Sequence, residues 1–235
     1  MMRALLASTS TLHNQKYLAY LEKEISELFK NSSEVIFIPY ARPGGITYDE
    51  YTTKASEAFL KAGISLKGLH EFKDPAAAIV NAEGVFTGGG NTFLLVSELY
   101  RKKVMPVLKS RIREGISYMG TSAGTNIAGL TMQTTNDMPI IYPPSFKTLG
   151  ILPFNINPHF LDPDPDSKHK GETRETRINE FHVMNSQPVV GLREGSWLAL
   201  ENDQIILKGN LEARIFRKEQ SPEEVKPGTD LKNLN

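Results

Sequence analysis

The sequence predicts an α/β fold of three layers, a mostly parallel sheet flanked by helices on both faces. Three observations predict it. Through the first 130 residues, short apolar runs bounded by small or turn residues alternate with longer stretches of helical spacing. Strand–helix–strand units cross over right-handed, so their strands lie parallel and are covered on both sides. Finally, 235 residues suffice for one large core without staples, and no linker or repeat divides the chain, so residues 1–235 read as a single domain.

The elements follow in order. An apolar run at residues 4–8 reads as the first strand. Residues 15–30 read as a one-sided helix: Tyr17, Leu18, Leu21, Ile25, Leu28 and Phe29 recur at three- and four-residue spacing, with Lys23, Glu24 and Glu27 between them. Further strands at 35–39, 64–69, 84–87 and 116–119 alternate with helices at 48–62, 75–81, 91–100, 106–114 and 123–130. Asp74-Pro75 is a cap followed by proline in the first turn. The texture then changes. Residues 138–165 are proline-rich and read as irregular loop around one short strand at 151–156; residues 172–184 suit a helix. Short strands at 189–192, 197–200, 204–207 and 213–216, with turns at Asn202-Asp203 and Lys208-Gly209-Asn210, make a β-hairpin region over about 188–218. The polar tail, 219–235, is expected to fray in part.

Composition excludes several function classes. The 27 basic and 27 acidic side chains cancel, so no global field collects nucleic acid or anionic lipid. With no cysteine, a disulfide scaffold, a thiolate zinc site, an iron–sulfur cluster and a cysteine nucleophile are excluded. No run approaches the ~18 apolar residues of a membrane helix, and the N-terminal run is too short for a signal peptide. The expectation is a cytoplasmic protein with no nucleic-acid or membrane partner, acting as monomer or homodimer on a small molecule.

Gly120-Thr121-Ser122-Ala123-Gly124 is the strongest local motif, a G-x-S-x-G between an apolar strand and a helix. A serine lifted above a sheet needs a sharp strand-to-helix turn, and glycines two before and two after allow close backbone approach. The bland reading is a helix N-cap serine. Thr87-Gly88-Gly89-Gly90-Asn91-Thr92 ends a strand one unit earlier. It suits an oxyanion loop, a phosphate cradle or a plain turn, but matches neither the P-loop nor the dinucleotide pattern.

A serine hydrolase needs a base. Among five histidines, His13 opens a helix, His70 ends a strand, His182 lies within a helix, and His169 sits in a charged loop. His159 follows Asn155-Ile156-Asn157-Pro158, where a strand ends, and so lies on a sheet edge. For the acid, spacing does not choose between Asp137, in a polar insert, and Glu194, just after a strand; Asp162, Asp164 and Asp166 look like exposed loop.

These blocks, with Thr134-Thr135-Asn136-Asp137-Met138-Pro139-Ile140, Asn157-Pro158-His159-Phe160 and Lys170-Gly171-Glu172-Thr173-Arg174, resemble the peptidase E family of α-aspartyl dipeptidases. The resemblance covers about four fifths of the chain, with only the C-terminal hairpins and tail poorly matched. It implies a class I glutamine amidotransferase-like fold, related to flavodoxin-like folds, and a serine hydrolase of Asp-X dipeptides without metal or cofactor. It places the nucleophile on Ser122, the base on His159 and the acid on Glu194. The N–H groups of Gly89 or Gly90 and of Ala123 would then bind the oxyanion. An aspartyl carboxylate calls for an arginine fork, for which Arg174 is the candidate, helped by Thr135 or Asn136; the alternative for Arg174 is a surface ion pair. The substrate ammonium calls for Asp137 or Glu172. Threonine at 121 departs from the family's tryptophan beside the nucleophile, a change expected to alter the pocket wall. Competing expectations are a cyanophycinase-like or isoaspartyl peptidase, and a non-enzymatic phosphate-binding α/β module.

Overall fold

A strand covered on both faces must be largely apolar or small, and four segments come close to that demand. In the computed structural model, which describes residues 2–163 and 171–234, β1 (Arg3–Ala7), β2 (Glu34–Ile38), β4 (Gly84–Thr87) and β5 (Ser117–Thr121) are buried almost end to end. β3 (Ser65–Gly68) lies at the edge. Successive side chains point to opposite faces. Leu6, Ile36, Ile38 and Val85 therefore join one core cluster, while Leu5, Val35, Phe37 and Phe86 join another on the far side. The layers are α1 (Glu22–Leu28) and α2 (Tyr48–Lys61) against the second cluster, and α3 (Pro75–Val80), α4 (Thr92–Arg101) and α5 (Val104–Glu114) against the first.

Among the described residues the larger sheet runs β3-β2-β4-β5-β1-β8-β9, its first five strands parallel. β8 (Ser196–Glu201) and β9 (Gln204–Gly209) add an antiparallel hairpin whose turn is Asn202-Asp203, both at positive φ. A smaller sheet, which the sequence did not announce, orders β11-β10-β7-β6. Here β6 (Asn155–Pro158) and β7 (Val189–Leu192) are parallel, while β10 (Ala213–Phe216) and β11 (Glu223–Val225) are antiparallel additions. α6 (Ala123–Asn126) stands between the sheets, against β5 and β6, and α7 (Arg174–Met184) covers the other face of the smaller sheet, where Ile178 clusters with Phe160, Val189 and Phe216.

Several boundaries differ from expectation. The helix expected over 15–30 begins only at Glu22, after a 3-10 turn at Ala19–Leu21, because Leu18 adopts φ 57° and donates its N–H to Ser10 O. The helix expected over 123–130 stops at Asn126; beyond it, Ala128 and Gly129 carbonyls accept N–H groups from Ile151 and Gly150 rather than from a continuing helix. That engagement also moves the strand expected at 151–156 to Asn155–Pro158. The tail expected to fray is docked through Leu234: Gly228 N–H donates to Leu207 O and Leu231 N–H to Ile205 O, and Leu231 and Leu234 are buried. No helix among the described residues is long and apolar enough to cross a membrane.

Candidate active site

Five strands deliver residues to one place, each from its carboxyl end: Ser8 after β1, Gly88 to Gly90 after β4, Ser122 after β5, His159 after β6 and Glu194 two residues beyond β7. The first three strands belong to the larger sheet and the last two to the smaller, so the site lies where the two carboxyl edges meet.

Ser122 occupies φ 53°, ψ −110°, a sparsely populated region for a residue with a Cβ. Such a conformation costs about 1–3 kcal/mol and persists only when the surroundings enforce it. Enforcement is visible. Ser122 N–H donates to Ala7 O at 3.1 Å, and its carbonyl accepts from Thr125 and Asn126. A Cβ on Gly120 would strike the Gly124 carbonyl, and one on Gly124 would strike the Thr87 carbonyl, so the elbow closes only with glycine at both positions. The side chain of Ser122 makes no cap bond, which removes the N-cap reading. With four residues, α6 is too short for a macrodipole argument, so any stabilisation of charge here falls to local N–H groups.

His159 Nε2 lies 2.9 Å from Ser122 Oγ, and His159 Nδ1 lies 2.6 Å from Glu194 Oε1. The register of β6 against β7, Asn157 beside Gly191 and Pro158 beside Leu192, carries His159 alongside the segment ending in Glu194. His159 is itself at φ 53°. Glu194 is thus the acid that meets the imidazole. Asp137 stands elsewhere: its Oδ2 accepts from Thr92 N (2.7 Å), Thr92 Oγ1 (2.7 Å) and Thr135 Oγ1 (3.0 Å), at the start of α4.

The glycine loop passes directly behind the serine. A Cβ on Gly89 would come within 2.9 Å of Ser122 Cβ, and Gly90, at φ 143°, would drive one into Ala41 O. Gly89 O is held by Tyr51 Oη at 3.2 Å and Asn91 N–H by Ala41 O at 2.7 Å. No acceptor among the described residues engages the N–H of Gly89, Gly90 or Ala123. These are the donors expected for an oxyanion.

Arg174 is the first residue of α7, where the helix dipole opposes a cation. Burial, then the like charge of Arg177, holds its pKa below the ordinary arginine value, while Asp137 acts in the opposite direction. The neighbouring glutamates are committed elsewhere: Glu172 to Arg177 at 3.5 Å and Glu175 to Arg214 at 3.0 Å. Among the described residues no ion pair contains Arg174, so the surface-pair alternative finds no partner.

Other expected residues fall differently. Glu172 is exposed and paired with Arg177. Asn136 spends both ends of its amide on support, donating to Pro158 O at 2.7 Å and accepting from Asn157 Nδ2 at 2.8 Å. It steadies the strand end that carries His159, which competes with a direct role on substrate. Thr121 is wholly buried in β5, so it forms no pocket wall. His70 pairs with Asp49, and His182 is buried with Nε2 bonded to Gln187 O. His169, Lys168 and Lys170 lie outside the described residues. Sequence reasoning passed over Ser8 and Arg193. A hydroxyl run, Ser8-Thr9-Ser10, at a strand's carboxyl end was the available signal for the first.

Comparison with known proteins identifies the family. Residues 4–208 match the model of peptidase family S51. The chain is 48% identical to peptidase E of Streptomyces coelicolor, covering 99% of this chain and 95% of that protein. It is 43% identical to the probable alpha-aspartyl dipeptidase of Drosophila melanogaster, over 97% of this chain and 95% of that one. Among solved structures, a peptidase from an acI-B1 actinobacterium superposes with TM-score 0.75 at 16% identity, covering 99% and 97% of the two chains. At that identity the likeness speaks for the fold alone, a mostly parallel sheet flanked by helices.

Proposed function

The chain belongs to peptidase family S51, a family of serine peptidases, and from that premise we propose that it hydrolyses dipeptides with an N-terminal aspartate through an acyl-enzyme on Ser122. One observation carries the reading: the unbroken line Glu194–His159–Ser122, with bonds of 2.6 and 2.9 Å, beside N–H groups that no acceptor among the described residues engages. It favours nucleophilic catalysis over a phosphate-binding module, which would have no use for an imidazole on the serine.

In this mechanism Ser122 Oγ attacks the peptide carbonyl while His159 Nε2 takes its proton. Glu194 fixes the imidazole tautomer and faces the imidazolium as it forms. The N–H groups of Ala123 and of Gly89 or Gly90 hold the oxyanion, a role in which one donor is worth about 3 kcal/mol. His159 then protonates the leaving amine, and water, deprotonated by the same imidazole, releases aspartate. Arg174 reads the aspartyl side chain as a planar, two-pronged donor. Asp137, close enough to act on Arg174 electrostatically, faces the substrate ammonium. The restriction to dipeptides comes from the relatives' names and forms part of the proposal.

The test joins covalent labelling to a small panel of substrates. A fluorophosphonate should add one label to the wild type and none to Ser122→Ala, whose kcat/KM should fall about 10⁴-fold or more. Asp-Leu should be turned over in strong preference to Asn-Leu, Glu-Leu and β-linked Asp-Leu. Misplacement near 1 Å costs about a hundredfold, which is the penalty expected for the extra methylene of glutamate. Arg174→Lys should erode the preference for Asp-Leu over Asn-Leu while leaving the serine open to the phosphonate. Ser122→Ala retaining more than about a tenth of the activity would refute the nucleophile.

A further inference from the structure

Ser8 is wholly buried at the end of β1 and takes no part in the chemistry above. Its hydroxyl donates to Leu192 O at 2.7 Å and accepts the backbone N–H of His159 at 2.9 Å. Leu192 is two residues before Glu194, and its carbonyl also accepts Phe160 N–H at 3.1 Å. The residue before Ser8 completes the set. Ala7 O accepts Ser122 N–H at 3.1 Å and Thr125 Oγ1–H at 2.6 Å. Two consecutive residues at one strand end are therefore bonded to the backbone carrying the nucleophile, the backbone of the base, and the strand that leads to the acid.

These bonds cross between sheets. Ser122 stands on the larger sheet, while His159 and Glu194 stand on the smaller. The 2.9 Å contact between His159 Nε2 and Ser122 Oγ is thus a distance between two separately built layers. His159 holds a positive φ, which a residue with a Cβ leaves unless something retains it. A hydroxyl is the small group that can accept an N–H and donate to a carbonyl at once. We infer that Ser8 is a positioning residue, whose buried hydroxyl sets the base and acid of the smaller sheet in register with the nucleophile of the larger one. The inference rests on the reading of Ser122, His159 and Glu194 given above.

Ser8→Ala removes the hydroxyl and leaves His159 N–H and Leu192 O without this partner. Kcat for Asp-Leu should fall about thirtyfold to a hundredfold, with KM within about twofold, since a shift near 1 Å at the reacting atoms costs about that factor. The rate of fluorophosphonate labelling should fall by the same factor, because that reaction needs Ser122 and His159 but no aspartyl recognition. Rates are taken per folded molecule, so a loss of stability alone would not move them. Ser8→Thr and Ser8→Val have closely similar volumes and differ in the hydroxyl, so the threonine variant should outperform the valine variant in both assays even if each is strained. The inference is overturned if Ser8→Ala keeps kcat and labelling within about threefold of wild type, if its loss lies in KM alone, or if threonine and valine behave alike. Failure of the underlying reading is a separate result: the wild type would then take no phosphonate at Ser122 at all.

Discussion

Asp137 and Glu194 carry the same charge in opposite settings, and the difference assigns them different work. Glu194 meets one partner, His159 Nδ1, across 2.6 Å. Asp137 is wrapped by three donors from Thr92 and Thr135 and acts on Arg174. Glu194→Gln keeps the shape but removes the charge opposite the imidazolium and permits the wrong tautomer, so kcat should fall by about 10³–10⁴ with little change in KM. Asp137→Asn should act chiefly through KM, by about tenfold, since binding rather than proton transfer is disturbed. Steady-state kinetics on Asp-Leu separates the two, and the reverse pattern would exchange their roles. The elbow serine was legible because its chemistry is written in five consecutive residues. Spacing did not single out the acid, which only the family resemblance placed on Glu194, because the choice between Asp137 and Glu194 depends on the pairing of Pro158 with Leu192, a register between segments 34 residues apart in number.

At the scale of elements, the smaller sheet shows how such a register is secured. Arg193, between Leu192 and Glu194, forks onto Asp162 at 2.6 and 2.8 Å and onto Glu224 at 2.8 and 2.9 Å, and reaches Glu212 O at 2.7 Å. One guanidinium thereby joins β7 to the chain leaving His159 and to β11. The strands of the first 130 residues were legible since burial on both faces leaves continuous apolar runs. This second sheet was not, because strands of about four residues announce their existence but not their partners. The network carries a pH signature. Hydrogen bonding to Arg193 lowers the Asp162 pKa in the folded protein against its ordinary value of about 3.9. A depressed carboxyl contributes stability that is present above its unfolded pKa and is lost as pH falls through its folded one. Asp162→Asn should therefore lower Tm at pH 7, by a modest amount because the carboxylate is half exposed, and the gap from wild type should close below about pH 4. A gap that persists unchanged at pH 3 would mean that packing, not charge, holds this corner.

For the whole molecule, the polar tail is part of the fold rather than an appendage. Larger than its composition suggests, its contribution is to close the sheet: β9 is the last strand of the larger sheet, and an unpaired edge invites association with other chains. The tail covers it with a sparse ladder, Gly228 N–H to Leu207 O, Leu207 N–H to Thr229 O and Leu231 N–H to Ile205 O, and Asp230 Oδ1 accepts Ile205 N–H at 3.0 Å. Polar composition hid this, because Val225, Leu231 and Leu234 are the few large apolar residues of the tail, and the two leucines turn inward to 3% and 6% exposure. Leu231→Ala leaves a cavity beside β9 and should cost about 2 kcal/mol, the lower end for a buried leucine because a terminal segment can settle. For a chain of this length that is a fall in Tm of about 4–8 °C. The substitution lies against Ile205 on β9, beyond β8 from the strand end that holds Ser8 and the elbow, so kcat/KM for Asp-Leu at 25 °C should stay within about twofold, additivity holding for distant sites. Light scattering should rise with protein concentration in the variant before it does in the wild type, as the edge comes uncovered. Calorimetry showing an unchanged Tm would mean that the tail merely rests on the sheet. A large loss of activity at full folding would mean that the edge and the site are mechanically coupled across β8 and β1.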